Sequence, residues 1–196
     1  SLNPFNQSPL TKAELEKDAL FYLSYDGIPV KASRLFAGRE HEIQTKRIAD
    51  FYGVEELFYE SIQYDKSLVQ KLKQQPNFAF HDGVLNQIVF AKRDLHAFAD
   101  YREAYHQLMI DIVHMQIRST DLVLQPSSVK SIYVDGGFSN NQLFMQMIAT
   151  HYIGYNIYAA SVAQASALGA AVSIHEKWND LALPQTLIYA VKSSAN

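Results

Sequence analysis

Cysteine is absent from the 196 residues. This excludes a disulfide framework and thiolate chemistry, although for a chain of this size it says little about compartment. Runs of one charge are absent as well. The 17 Lys and Arg are dispersed among 20 Asp and Glu for a formal net charge of -3, so no basic track follows a phosphate backbone and nucleic acid is not expected as a partner. No apolar stretch approaches the ~20 residues that cross a bilayer. The opening Ser1-Leu2-Asn3-Pro4 has neither a basic region nor an apolar signal core, so no membrane is expected and the cytoplasm is the default location. The chain also opens without Met, which leads us to expect an excised or cleaved domain. There is no G-x-S-x-G elbow to anchor a serine nucleophile. The Tyr and Phe residues are not interleaved with basic ones, so they read as core and not as a base-stacking platform.

What is present is a 48% apolar chain, enough to bury a proper core. Thr11-Lys12-Ala13-Glu14 has the form of a capping box, and Asp26-Gly27 between Leu20–Leu23 and Ile28–Val30 is a hairpin turn signal. The spacing of Ile43, Ile48, Phe51 and Tyr52 predicts a helix over 40–52, closed by Gly53. A short helix over 67–73 is expected to stop at Gln75-Pro76. Asp100–Glu103 opens the longest periodic run, to about Leu122, with Tyr101, Tyr105, Leu108, Ile112 and Met115 on one face against the core. Two βα units follow: a strand over 131–134, a glycine turn and a helix over 140–153, then a strand over 156–159 and a small-residue helix over 163–178. Residues 1–196 read as a single α/β domain with a β-rich, irregular first third.

The most informative stretch is Asp135-Gly136-Gly137-Phe138-Ser139-Asn140-Asn141-Gln142. Two glycines at the end of a strand permit positive φ and let a flat ring approach bare backbone. Ser139 with Gln142 forms a capping-box pattern, placing Asn140 and Asn141 in the first helical turn, where free N–H groups lie. An Asn there suits a nucleobase edge or a ribose. The residues alone also allow a tight turn with no ligand. Small residues from Ala163 to Ala171 read as packing, letting that helix approach another element closely. Three groups invite a metal reading: Arg39–Glu42, His81-Asp82, and the trio His106, Asp111 and His114. Zinc-binding His pairs on helices are usually four apart and this trio lacks that spacing, so we read it as a solvent face and assign no metal ligand.

Val134-Asp135-Gly136-Gly137, then Asn141 and Gln146, then Ala167-Leu168-Gly169-Ala170-Ala171, resemble the adenosine-motif region of FGGY carbohydrate kinases. These have the ribonuclease-H-like fold of the actin-like ATPases. Order and turns elsewhere are similar to that family's second domain, nearest to its rhamnulose and fuculose kinase branch. The resemblance implies a mixed sheet with helices on both faces and ATP-dependent phosphorylation of a ketose or related small sugar. It makes this chain the C-terminal, nucleotide-binding lobe. Gly136 and Gly137 would line the adenine slot, Phe138 would wall it, and Asn141 would hydrogen-bond the base. ATP or ADP is then the ligand, Mg2+ is held mainly through the phosphates, and the sugar is held by an N-terminal lobe absent from these residues. Gln164 stands where relatives commonly carry an acid. The general-base Asp and the glycine-threonine phosphate element are expected before Ser1, so no catalytic residue is assigned here and the chain alone is expected to be inactive. A homodimer is allowed, and a non-catalytic nucleotide-binding or interaction domain of the same fold is the alternative.

Overall fold

The computed structural model describes residues 1–4, 6–24, 26–74, 89–124, 127–160, 165–182 and 190–193. Its first elements follow from local chemistry. Strand β1 (Leu2–Asn3) precedes α1 (Lys12–Glu16), which starts on the expected reciprocal cap. Glu14 N–H donates to Thr11 Oγ1 at 3.2 Å, and Thr11 N–H donates to Glu14 Oε2 at 2.8 Å. The hairpin β2 (Ala19–Leu23) and β3 (Pro29–Ser33) forms around the Asp26-Gly27 turn, and β1 adds to the outer side of β3, giving an antiparallel sheet in the order β1-β3-β2. A hairpin was expected; the third strand was not, because two residues carry no readable alternation.

Helix α2 (Ala37–Tyr52) ends where Gly53 adopts φ 66°, ψ 38°, a left-handed cap that glycine reaches without steric cost. Helix α3 (Lys66–Gln74) covers the short helix read over 67–73, while its expected stop at Gln75-Pro76 lies outside the described residues.

The long helix α4 (Tyr101–Leu124) is the axis of the molecule, in contact with α2, α3, β1 and β3, and with α5 (Gln142–His151) beyond it. It is buried on nearly every side. His106 and Asp111 are both 0% exposed, which corrects the solvent-face reading. They are tolerated inside because they are paired. His106 Nδ1 lies 2.7 Å from the Arg102 carbonyl and its Nε2 takes the Asp65 N–H at 3.2 Å, a geometry that fits Nδ1 protonated and donating. Asp111 takes a two-pronged bond from Arg93, at 2.6 and 2.8 Å, and a third from the Gln107 amide at 2.7 Å. Burial pushes the Asp111 carboxyl up, and the Arg93 guanidinium and Gln107 amide pull it back toward the charged form. The metal trio is thereby taken apart, and among the described residues no three His, Asp or Glu side chains converge as metal ligands. His81-Asp82 lies outside the described residues.

The second half is the pair of βα units. Strand β4 (Ser131–Val134) runs parallel to β5 (Asn156–Ala160), and β6 (Ala190–Ser193) lies antiparallel on the far side of β5, so this sheet is mixed as expected. Helix α5 packs its Leu143, Phe144, Met147 and Ile148 into the core. Helix α6 (Ala165–Ser173) departs from the close-packing expectation. Ala167, Gly169, Ala170 and Ala171 are exposed, and a Cβ built on Gly169 would meet nothing within 4 Å. Among the described residues, α6 contacts the short turn at His175–Lys177. Gln164 lies outside the described residues.

Candidate nucleotide site

The glycine turn sits where β4 hands over to α5. Gly136 adopts φ 75°, ψ -160°, a conformation open essentially to glycine alone, and its N–H donates to Asp135 Oδ1 at 2.7 Å. A single 3-10 turn over Gly137–Asn140 follows, held by Ser139 N–H and Ser139 Oγ, both donating to the Gly136 carbonyl at 3.0 and 2.8 Å. Ser139 is therefore spent inside this turn, and the Ser139–Gln142 capping box does not form. Asn141 caps α5 instead: its Oδ1 accepts from Phe144 N–H at 3.0 Å. Asn serves at this position as well as Ser does, and the extra turn moves the helix start along by two residues. Asn140 and Asn141 thus precede the helix and do not lie in its first turn.

Asn141 is tethered a second time, by an Nδ2–H bond of 2.7 Å to the Tyr105 hydroxyl on α4. That hydroxyl lies 3.1 Å from His41 Nε2 on α2. The His41 ring is enclosed edge-on by Tyr59, Tyr105 and Phe138, at centroid distances of 4.9, 5.9 and 5.6 Å. Burial lowers the His41 pKa to about 4, so the ring is neutral at physiological pH. Burial also pushes the Tyr105 hydroxyl up, keeping its proton in place. Phe138 stacks on Phe144 at 4.5 Å, which fixes one of its faces to the core.

These side chains border one cleft of about 600 Å³, lined among others by Gly137, Phe138 and Asn141 on one side and by His41, Tyr59 and Glu60 on the other. Three of the four residues expected from sequence meet there. Gly136 is one residue back and shapes the turn without lining the cleft. Sequence reading missed the opposite wall. His41 stood out as a metal candidate and Tyr105 as a core residue; the available signal was that a buried Tyr hydroxyl must find a polar partner.

The mixed sheet, with a strand that ends in a glycine turn before a capped helix, is consistent with the ribonuclease-H-like kinase fold. The family model "Carbohydrate kinase FGGY, C-terminal domain" matches residues 4–181, and the chain belongs to that family. Among solved structures it is similar to a carbohydrate kinase from Novosphingobium aromaticivorans, with a TM-score of 0.59 and 18% identity over 92% of this chain. The match spans 37% of that kinase's own length. No curated protein gives a significant match. Among the described residues no helix is long and apolar enough to cross a membrane.

Proposed function

We propose that this chain is the nucleotide-binding lobe of an ATP-dependent sugar kinase, which phosphorylates a hydroxyl of a ketose or related small sugar held mainly by an N-terminal lobe outside these residues. The observation that carries this reading is the convergence of Gly137, Phe138 and Asn141 on one cleft at the end of a strand. Gly137 offers backbone without a side chain, Phe138 offers an apolar wall, and Asn141 keeps one N–H and one oxygen lone pair after its two internal bonds. Gly136 supplies the turn that brings them together.

The lining suits a base and a ribose better than a triphosphate. None of the described lining residues is Lys or Arg, and Glu60 is an acid. The phosphate charge is therefore met elsewhere, by Mg2+ travelling with the phosphates and by groups of the other lobe. Phosphoryl transfer also needs a proton acceptor at the sugar hydroxyl, which this reading places in the other lobe. A cytoplasmic location and a soluble ATP and ADP partner go with this reading, and a homodimer is compatible with it.

Calorimetric titration with ATP and ADP in magnesium tests it, comparing the protein with its Asn141→Ala variant at full native length. Saturable binding that weakens at least tenfold in the variant is expected. Equal binding by both would overturn the assignment of this cleft.

A further inference from the structure

The partners of Asn141 fix which way its amide faces. Phe144 N–H is a donor, so the amide atom facing it has to be the oxygen, because a flipped amide would set two donors against each other. Nδ2 is thereby directed to Tyr105, whose oxygen accepts at 2.7 Å. With His41 in the tautomer that carries its proton on Nδ1, the Tyr105 hydroxyl donates to His41 Nε2 at 3.1 Å. Three elements, α2, α4 and the cap of α5, thus converge on the orientation of a single amide.

We propose that Tyr105, backed by His41, is a positioning residue that locks the Asn141 amide, and that the locked amide makes the cleft select adenine over guanine nucleotides. This rests on the nucleotide reading of the cleft. After its two internal bonds Asn141 retains one donor and one acceptor. Adenine presents a matching pair on its N6/N7 edge, the amino group as donor and the ring nitrogen as acceptor, whereas guanine presents two acceptors there. A freely rotating amide could turn its NH2 toward either base; a locked one sets its oxygen against guanine O6. Removing the Tyr105 hydroxyl frees one tether while leaving the ring in its packing against Tyr59 and Tyr101.

The test is calorimetric titration of the protein at full native length with Mg2+-ADP and Mg2+-GDP, for the unsubstituted protein, Tyr105→Phe and Asn141→Asp. The unsubstituted protein should bind ADP at least tenfold tighter than GDP. Tyr105→Phe should weaken ADP binding several-fold and narrow the ADP/GDP ratio, an effect that a purely structural hydroxyl would not have. Asn141→Asp keeps an oxygen for the helix cap and loses the N–H, so it should lose ADP binding while its thermal midpoint stays close to that of the unsubstituted protein. An unchanged ADP/GDP ratio in Tyr105→Phe, with Asn141→Asp impaired, would overturn the positioning role and leave the nucleotide site standing. Binding of neither nucleotide by the unsubstituted protein would overturn both.

Discussion

A histidine kept neutral by its surroundings links stability to pH. His41 has an ordinary pKa of 6.5 in the unfolded chain and about 4 in the folded one. The unfolded state therefore binds the extra proton first, and the contribution of the neutral ring is complete above pH 6.5 and is lost as pH falls toward 4. The His106 pKa is also lowered by burial, so it acts in the same direction. Asp65 works in a lower window: the Ser67 hydroxyl and Leu68 N–H hold its carboxyl at about 2, so its contribution persists until pH falls below its ordinary 3.8. Urea unfolding at pH 7 and pH 4.5 should show a loss of about 2 kcal/mol from His41. His41→Gln, which cannot titrate, should make that pH dependence shallower, with His106 supplying what remains; an equally steep dependence in the variant would place the titrating group elsewhere.

At the scale of the element, the cap of α5 carries two duties. Asn141 satisfies the Phe144 N–H and also faces the cleft. Asn141→Ala should cost about 1 kcal/mol of stability through the lost cap, measured by denaturant midpoint without nucleotide, whereas Asn141→Asp should cost much less. The same helix shows what the sequence could and could not convey. Its existence was legible from Leu143, Phe144, Met147 and Ile148, and the strand and glycine turn before it from Ser131–Gly137. The capping residue was not legible, since Ser139 and Asn141 are both good caps and only the 3-10 turn over Gly137–Asn140 decides between them. The hairpin and α2 were legible because Asp26-Gly27 and Gly53 punctuate them. The two-residue β1 was not, because it depends on β3 for its definition. The far wall of the cleft was illegible for a different reason: His41, Tyr59 and Tyr105 are distant in sequence from the glycine turn, and only packing brings them to it.

For the whole molecule, the decisive element is α4. Periodicity assigned it one apolar face, and the structure buries its polar positions as well, because His106 and Asp111 find partners on neighbouring segments, at Asp65 and Arg93. Such pairing depends on residues far along the chain, which no local pattern contains. Helix α6, whose small residues suggested intimate packing, stands largely open among the described residues. The two helices should therefore differ in how their backbone amides meet deuterium. Amides in the middle of α4 have no route to solvent short of global opening, while those of α6 lie near the surface and open locally. Hydrogen-exchange mass spectrometry should find α4 peptides protected longest and α6 peptides labelled within the earliest time points. The helix that supplies Tyr105 to the cleft is then the slow clock of the molecule: the Asn141 amide is tethered to the part of the protein that opens last.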